Sequence, residues 1–526
     1  MAHAIIFVDR APLARQEDYT SYYMSYAAGS YKIASVMRDM GLDALVVPSC
    51  FSLTFAGIKQ IIENNKSNLL WVGISTTFMS LEVDSEEVLT NYRTEWRGSK
   101  NLTMNHDSLM VKCQNTYDYQ MVWDAKDIAM IGTYLDKEYK VPLLLGGYYA
   151  DRYKLQLQRY RPYDQNIHCI EGYAESYVKE FTERRLDDPT AVPKLFVNNT
   201  PYNDNEFKTS TINWHENDFI DKDSWLEIET ARGCAFDCAY CSYPRRGRFD
   251  SFKDPDALRN ELIRNYEKFG VTRYNIIDDL YNDSKEKVRI FHEKVWSKLP
   301  FKAEWVANMR LDMIWSDPDS AAMIKEDGCK FGQFGIETLH DVAGRKVGKG
   351  LGKKRIIETL EFLKPIWGKD VLISANLIAG LPFEPIESIR ETLDWSMTTD
   401  LLYNANWQQL FLTPPAIFNI VDPVNRIEED YEKFQVEWLD GRNWKNSVGV
   451  TYNQVQELVK NSSKLLPMDF KVNLRNYTDL RRVGFSHEQL ANVKTHPLDK
   501  HEVEVSQAWC KSQIEQRIQK LLDIKT

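Results

Sequence analysis

The chain reads Cys234-Ala-Phe-Asp-Cys238-Ala-Tyr-Cys241 directly after a short apolar stretch, Leu226 to Ala231, that reads as a β-strand. Three cysteines within eight residues put three thiolate ligands into one loop. Iron in a cubane cluster takes four ligands, and cysteine thiolate is the usual one. The loop therefore predicts a [4Fe-4S] cluster held by Cys234, Cys238 and Cys241, with one iron open to another ligand.

A structural zinc site and a disulfide are the alternatives for these cysteines. Zinc prefers four ligands, usually supplied as two closely spaced pairs, and no second pair accompanies the loop. The other cysteines are scattered singly, and the amino-terminal sequence lacks the features of a secretion signal. Disulfides persist mainly in secreted proteins. An iron–sulfur site is therefore the favoured interpretation.

The C-x3-C-x2-C spacing, with Tyr240 before the last cysteine, resembles the signature of the radical S-adenosylmethionine (SAM) superfamily. In that superfamily the open iron binds the methionine part of SAM, and an electron from the cluster splits the sulfonium to give a 5′-deoxyadenosyl radical. The resemblance implies a [4Fe-4S] cluster, SAM and an electron donor such as flavodoxin or ferredoxin. The protein would supply binding, orientation and exclusion of water.

The length, net charge and hydrophobicity of the chain narrow the classes of protein to which it could belong. The chain has 526 residues, enough for about three domains. A formal net charge of -10 argues against a general nucleic-acid binder, whose affinity rests on a basic surface. No stretch approaches the roughly 18 apolar residues of a membrane span. We therefore expect a cytoplasmic enzyme with a small-molecule or peptide substrate, without a membrane or nucleic-acid partner.

Short apolar runs alternate with segments of helical period over residues 1–185, a pattern typical of an α/β domain with a parallel sheet. The predicted strands are Ala4 to Val8, Ala44 to Val47, Leu69 to Ser75, Pro142 to Leu145 and Ile167 to Ile170. The segment from Leu81 to Gln120 fits neither period, so it is predicted to be an insertion or a long loop.

Residues 186–222 lack periodicity and are predicted to be a linker. The alternation then resumes over residues 223–414, with six strands predicted near Leu226, Tyr274, Ala303, Phe331, Val371 and Leu402. Six βα repeats predict an open sheet or a partial barrel. Residues 415–526 are rich in helix formers and predict a helical carboxy-terminal region. The predicted fold class is α/β: a Rossmann-like domain, a partial (β/α)6 barrel and a mainly helical region.

Polar residues follow the predicted barrel strands, where the ligands of parallel α/β proteins gather. These strand ends resemble the corresponding segments of radical SAM enzymes, which makes the following residues candidates for cofactor binding: Tyr240, Asp278, Asp279, Asn308, Arg310, Glu337, Asn376 and Gly380. A strand-end Asp or Asn that caps the next helix is the structural alternative for each.

The resemblance also implies roles for some of these residues. Tyr240 would lie against the adenine of SAM and Glu337 near its ribose. Arg310 would be available to the carboxylate of SAM, and Asp278 and Asp279 to its amino group. The segment around Gly380 would let backbone approach the adenine, because glycine has no side chain in the way.

The amino-terminal domain resembles the cobalamin-binding domain that precedes the barrel in one branch of radical SAM enzymes. The resemblance is carried by Val72-Gly-Ile-Ser75-Thr76 and Leu144-Leu-Gly146-Gly147, together with neighbouring segments. It implies that Ser75, Thr76, Gly146 and Gly147 border the nucleotide tail of the corrin. The D-x-H-x-x-G motif with the cobalt-binding histidine is missing, because the chain reads Asp9-Arg-Ala-Pro-Leu-Ala after its first strand. A Rossmann-like platform without cobalamin is therefore the alternative.

Two other sets of residues have simpler interpretations. Two basic clusters could hold an anionic substrate or a phosphate, but a solvent-exposed face is the favoured interpretation. They are Arg245, Arg246 and Arg248, which follow the cysteine loop, and Arg345, Lys346, Lys349, Lys353, Lys354 and Arg355, which follow the fourth barrel strand. A phosphate loop is excluded there, because the glycine spacing is one residue short and no Ser or Thr follows the lysine. Cys50, Cys113 and Cys169 do not match the pattern of a second cluster and are predicted to be buried thiols.

The leading hypothesis is a cobalamin-dependent radical SAM enzyme that methylates an unactivated carbon. The first alternative keeps the radical step without cobalamin, for a rearrangement, cyclisation or sulfur insertion. The second alternative is a noncatalytic iron–sulfur sensor or scaffold.

Overall fold

The structure is a computed structural model that describes residues 2–8, 26–77, 123, 125–147, 150, 166–193, 196–200, 204–241, 251–415, 425–440, 443–465 and 474–524. The predicted insertion at Leu81 to Gln120, Cys113, the segment after Asp9, and the basic cluster of Arg245, Arg246 and Arg248 lie outside these residues. The chain divides into two compact units. The first is Met1–Glu206, Thr211–Ile220 and Gln507–Thr526, and the second is Phe207–Ser210 and Asp221–Ser506.

The first unit is built on a six-stranded parallel sheet with the order β2-β1-β3-β4-β5-β6. Its strands are β1 (Ala4–Phe7), β2 (Ala44–Val47), β3 (Trp71–Ser75), β4 (Leu143–Gly146), β5 (Ile167–Gly172) and β6 (Phe196–Thr200). The strand order reverses direction between β1 and β3. In doubly wound sheets, ligands bind beside such a switch point, at the carboxyl ends of the strands.

Helices cover this sheet with their apolar faces. They are α1 (Ala28–Asp39), α2 (Phe55–Asn65), α3 (Ala125–Tyr139) and α4 (Glu175–Asp187), followed by the short α5 (Asp204–Thr209). Ile58 and Ile62 of α2 and Ile131 of α3 are fully buried in one core with Val72 and Leu143 of the strands. Helical spacing of apolar residues thus produces the buried face, as the sequence predicts.

The predicted linker contains a strand that the sequence does not reveal. β6 falls within residues 186–222 and pairs with β5 at the edge of the sheet. An edge strand needs one hydrogen-bonded neighbour only, so the polar sequence Asn198-Asn199-Thr200 can pair without an apolar pattern. The domain boundaries themselves stay predictions.

The second unit contains a six-stranded parallel sheet in which strands that follow one another in sequence are neighbours in space. Its strands are β7 (Trp225–Ile228), β10 (Arg273–Ile276), β11 (Glu304–Met309), β12 (Cys329–Glu337), β13 (Leu372–Ala379) and β14 (Asn404–Gln409). A small antiparallel pair, β8 (Ala231–Arg232) and β9 (Ser251–Phe252), lies between β7 and β10 in sequence.

Helices separate these strands along the chain: α6 (Pro255–Phe269), α7 (Lys285–Lys294), α8 (Leu311–Ser316), α9 (Ser320–Glu326), α10 (Asp341–Lys346), α11 (Lys353–Trp367) and α12 (Ile386–Thr398). Sequential parallel strands joined by helices form the partial (β/α)6 barrel that the sequence predicts. The α/β fold class is confirmed.

The carboxy-terminal region is mainly helical, as predicted, with α13 (Arg426–Glu429), α14 (Tyr452–Leu465), α15 (Leu474–Arg482), α16 (His487–Ala491) and α17 (Lys500–Asp523). An unpredicted hairpin, β15 (Glu437–Asp440) and β16 (Asn443–Lys445), interrupts it. Its strands are three and four residues long, too short for an alternating pattern to show. No helix among the described residues is long and apolar enough to cross a membrane.

The barrel sheet has two faces with different contacts. Trp305 stacks on Trp296, and Phe334 contacts Trp367 of α11, so these side chains face the surrounding helices. Residues on the opposite, inner face near the start of the strands form an apolar cluster with α15 and α16: Trp225, Val306, Phe331, Leu372, Tyr477, Phe485 and Leu490. The carboxy-terminal helices therefore close the lower end of the inner face.

Candidate functional site

The cysteine loop follows β7 and β8 at the carboxyl end of the barrel sheet. Cys238 is buried, whereas Cys234 and Cys241 are half-buried. The Ala239 N–H donates to the Val347 carbonyl oxygen at 2.9 Å, so the segment after α10 supports the loop. A Cβ atom at Gly348 would lie 3.3 Å from the Asp237 carbonyl oxygen. This contact would be tighter than most Cβ contacts, and the φ of 87° at Gly348 also favours glycine.

A cationic group already contacts one of the thiols. Arg310 Nη1 lies 3.3 Å from Cys238 Sγ, and its guanidinium lies 3.8 Å from the centre of the Phe236 ring. Burial by itself lowers the pKa of Arg310, but two hydrogen bonds to Asp312, of 2.8 and 2.6 Å, outweigh it and hold that pKa above its usual value. Arg310 thus brings a fixed positive charge to the cysteine loop.

The three thiols fit an iron–sulfur cluster by donor type. Burial raises the pKa of the Cys234 thiol, and the carboxylate of Asp279 adds to that shift. In the part of the chain that the structure describes, no three His, Cys, Asp or Glu side chains already stand together as a metal-ion site, these cysteines included. Three soft thiolates in one loop suit iron–sulfur rather than oxygen-ligated metals. The three cysteines stay predicted ligands.

Glu337 lies at an irregular point of β12. Its φ of 67° is in the left-handed region, and the pairing with β13 shifts register between Gly335 and Glu337. Lys349 Nζ donates to the Gly335 carbonyl oxygen at 2.8 Å and lies 3.3 Å from Glu337 Oε1. A Cβ at Gly335 would come within 2.6 Å of that oxygen. The small Gly335, the irregular pairing of β12 and the ammonium group of Lys349 together hold the Glu337 carboxylate in place.

Tyr240 joins the same group of side chains. Lys349 Nζ lies 5.8 Å from the centre of its ring. Burial first, and then the negative charge of Glu337, raise the pKa of the Tyr240 hydroxyl well above its ordinary value. The structure thus brings together Tyr240 and Glu337, which the resemblance assigns to adenine and ribose.

Lys349 was missed by the sequence analysis, which placed it on a solvent-exposed basic face. Arg345, Lys346, Lys353, Lys354 and Arg355 are indeed exposed, but the Lys349 side chain is only 10% exposed. The reason is the turn after α10, because Gly348 has a φ of 87° and reverses the chain. A glycine just after a helix is the sequence signal that could have indicated this turn.

The two adjacent aspartates have different surroundings. Asp278 is buried, and its Oδ1 accepts the Thr230 N–H at 2.7 Å, with Lys287 Nζ 3.8 Å from Oδ2. Burial raises the pKa of Asp278 to about 6, although Lys287 opposes this shift. Asp278 therefore holds the strand end before the cysteine loop, whereas the charge of the half-buried Asp279 acts on Cys234.

The remaining predicted barrel residues lie on the inner face or in packing contacts. Asn308 is half-buried and Asn376 accepts a hydrogen bond from Asn406 Nδ2 at 3.3 Å. Gly380 has a φ of 90°, and a Cβ there would lie 2.6 Å from the Trp444 ring. Protein packing alone thus requires glycine at 380, independently of any ligand.

In the first unit, the four predicted residues meet at the carboxyl ends of β3 and β4. Ser75 pairs with Gly146, and the Thr76 N–H and hydroxyl both donate to the Gly146 carbonyl oxygen, at 2.8 and 2.9 Å. Gly147 has a φ of 95° and packs on Thr77. Among the described residues, a Cβ at Gly146 would meet no atom within 4 Å. In that part of the chain, backbone at this edge leaves room for a ligand chain that passes close to the strands.

Comparison with known proteins finds similarity in the second unit of the chain. Residues 228–396 match the model of the radical SAM superfamily. The anaerobic magnesium-protoporphyrin IX monomethyl ester cyclase of Cereibacter sphaeroides is 26% identical over 39% of this chain and 33% of its own length. An uncharacterized methyltransferase of Pyrococcus horikoshii is 24% identical over 34% of this chain and 37% of its own length. The chain thus spans little more than a third of these curated relatives.

Two solved structures share the fold. TsrM, a radical SAM methyltransferase from Kitasatospora setae solved with cobalamin and a [4Fe-4S] cluster, has a TM-score of 0.60 and 12% identity, covering 98% of this chain and 100% of its own. OxsB, a cobalamin-dependent SAM radical enzyme, has a TM-score of 0.51 and 13% identity, covering 98% and 72%. The domain at residues 228–396 is thus similar to the radical SAM superfamily, and the solved structures share the fold of the chain.

Proposed function

We propose that this protein is a radical SAM enzyme that uses cobalamin to methylate an unactivated carbon of its substrate. One observation carries the proposal: a three-cysteine loop at the carboxyl end of a six-stranded parallel sheet occurs in one chain with a doubly wound sheet in which no described atom lies within 4 Å of a Cβ built at Gly146. The likeness to TsrM over 98% of the chain supports it, since that structure holds both cobalamin and a [4Fe-4S] cluster.

The residues would divide the work as follows. Cys234, Cys238 and Cys241 would hold three irons of the cluster, and the charge of Arg310 would stabilise their thiolates. Tyr240 and Glu337 would orient the adenosine of SAM, with Lys349 fixing both. When bound, the cluster and SAM would supply a 5′-deoxyadenosyl radical, and cobalamin would supply the methyl group.

The open edge of the first unit would accommodate the cobalamin. The Gly146 carbonyl oxygen accepts hydrogen bonds from Thr76, and the half-buried Gly146 has no side chain beside Ser75. These contacts fix the position of the strand end, and no described residue fills the space where a side chain at 146 would lie. A bulky side chain at 146 would occupy that space, so Gly146→Leu should weaken cobalamin binding while the cysteine loop is unchanged.

The test is anaerobic reconstitution with iron and sulfide, followed by assay with SAM, a reductant and hydroxocobalamin. We expect about four irons per chain, 5′-deoxyadenosine or a methylated product, and a spectral change of the cobalamin. The triple variant C234A/C238A/C241A should lose the iron and the SAM chemistry. The matched control is Cys510→Ser, which alters a buried thiol on α17.

Two outcomes would overturn parts of the proposal. Zinc in place of iron, or an intact cluster whose EPR spectrum does not respond to SAM, contradicts the radical SAM assignment of the site. SAM cleavage without any cobalamin spectral change contradicts only the methylation and favours a cobalamin-independent radical reaction.

A further inference from the structure

The inner face of the barrel carries a group of uncharged polar side chains. We define the amide patch by six residues: Asn308, Gln333, Ser374, Asn376, Asn404 and Asn406. The strand register joins Asn308 to Gln333, Gln333 to Ser374, and Ser374 to Asn404. Residues in register on parallel strands point to the same face of a sheet. The patch therefore crosses four neighbouring strands as one continuous surface.

Contacts of neighbouring residues show which face this is. Phe334 and Trp407 each follow a patch residue in sequence, and they contact Trp367 of α11 and Ser396 of α12. Because successive side chains of a strand point to opposite faces, the patch faces away from the helices. It lies above Phe331 and its apolar cluster, which close the lower end of the inner face.

The patch is partly organised and partly open. Asn406 Nδ2 donates to Ser374 Oγ at 3.2 Å and to Asn376 Oδ1 at 3.3 Å, and Asn406 Oδ1 accepts from Asn404 at 3.1 Å. Within the described residues, the side-chain amides of the half-buried Asn308 and Gln333 have no hydrogen-bond partner. Each free amide offers both N–H donors and a carbonyl acceptor. The patch can thus form hydrogen bonds with a ligand that carries a donor and an acceptor side by side.

Three charged pairs lie at the carboxyl ends of the strands: Glu229 with Arg232, Arg310 with Asp312, and Glu337 with Lys349. Within the described part of the chain, the cation of each pair is thus already matched by a carboxylate. Burying a carboxylate without a partner is costly, whereas a neutral amide needs only its hydrogen bonds.

We propose that the amide patch binds the substrate and selects a neutral molecule with a carbonyl acceptor beside an N–H donor, as in a carboxamide, lactam or peptide unit, over a carboxylate or phosphate. The proposal rests on the proposed function only in that the patch lines the same barrel. It assigns the substrate class that the family and fold leave open.

The experiment uses matched probes on the reconstituted protein before SAM is added. Three pairs differ only in charge: benzamide and benzoate, nicotinamide and nicotinate, and indole-3-acetamide and indole-3-acetate. Binding is measured by saturation-transfer-difference NMR. We expect at least one carboxamide to bind about tenfold more tightly than its carboxylate, because the carboxylate would lie on the patch without a cationic partner.

Variants on one strand provide the control. Asn406→Leu should remove the carboxamide binding, whereas Gln409→Leu, on the opposite face of β14, should not. Equal or tighter carboxylate binding, no binding by any pair, or binding that survives Asn406→Leu overturns the proposal. Production of 5′-deoxyadenosine from SAM by the same samples reports on the proposed function separately, because the patch variants keep the cysteine loop intact.

Discussion

At Lys349 a single ammonium group meets a carbonyl oxygen, a carboxylate and an aromatic ring. Lys349→Met would leave Glu337 buried without its partner. We expect a loss of about 3 kcal/mol in the free energy of unfolding, as for other broken buried pairs, and at least about tenfold weaker SAM binding. Urea unfolding and equilibrium dialysis with SAM measure the two effects.

The control for this variant is Lys354→Met, because the Lys354 side chain is 88% exposed. An equal loss of SAM binding in both variants would show that Lys349 acts only through the general charge of the basic face. Unchanged binding in Lys349→Met would remove Lys349 from the cofactor site.

Glu384 is a buried carboxyl that should make stability depend on pH. It is 1% exposed, contacts the Thr338 hydroxyl through Oε1, and has no partner for Oε2 among the described residues. Burial raises its pKa to about 8, against about 4.3 in the unfolded chain. Between these values the folded protein keeps a proton that the unfolded chain has lost. Its stabilising contribution is therefore complete below about pH 4 and declines as the pH rises through 8.

The measurement compares Glu384→Gln with wild type by urea unfolding from pH 5 to 8. Glutamine mimics the protonated acid, so wild type should lose about 1.4 kcal/mol per pH unit relative to the variant. Glu361→Gln alters an exposed carboxylate and should leave the wild-type slope unchanged. Parallel curves for wild type and Glu384→Gln would contradict the burial argument.

Residue spacing in the sequence indicated the cysteine loop, and the resemblance to radical SAM enzymes indicated Tyr240 and Glu337, whose roles stay predictions. Spacing could not predict Lys349 or the pairing of Arg310 with Cys238. These contacts depend on how the turn after Gly348 and the end of β11 approach the loop in three dimensions.

Among the elements, the bulge of β12 gives the sharpest prediction. Gly335→Ala would put a Cβ 2.6 Å from Glu337 Oε1 and 3.0 Å from Lys349 Nζ, which displaces the ion pair. We expect weaker SAM binding together with reduced thermal stability. Gly344→Ala is the control, because its Cβ would make an ordinary contact of 3.8 Å with Thr338. Equal SAM affinities in the two variants would contradict a role for the bulge.

The sequence predicted helices and strands wherever a periodic run of apolar residues marks a buried face. Five of the barrel strands and the first five strands of the first unit lie where their apolar runs predict, whereas β14 is mostly polar and begins just after Leu402. β6 and the β15–β16 hairpin were not predicted, since edge pairing and short strands do not require an apolar pattern. The β12 bulge was also hidden, because backbone strain at Glu337 leaves no mark on composition.

For the whole molecule, the return of the last helix to the first unit is a long-range feature. Leu521 is 1% exposed in the core of that unit, and the Leu522 carbonyl oxygen accepts from Gln60 and Asn64 at 2.9 and 3.0 Å. Leu521→Ala should cost about 3 kcal/mol, the range for a buried leucine. Calorimetry should show one lowered unfolding transition. Val505→Ala, at a side chain 53% exposed on the same helix, should not change it.

The sequence predicted two α/β parts and a helical tail, but not that the tail completes the first core. Contacts between residues 60 and 522 depend on the path of the intervening chain, which local patterns do not encode. If Leu521→Ala left every transition unchanged, the tail would be dispensable for that core.

The apolar cluster around Tyr477 closes the lower end of the inner face of the barrel. In the part of the chain that the structure describes, substrate and product would therefore pass through the end that carries the cysteines. Under the proposed function, a reaction product deep in the barrel would lie behind the 5′-deoxyadenosine. The substrate would then bind before SAM, and its product would leave after 5′-deoxyadenosine. The shape of the barrel, rather than relative affinity, would set this compulsory order.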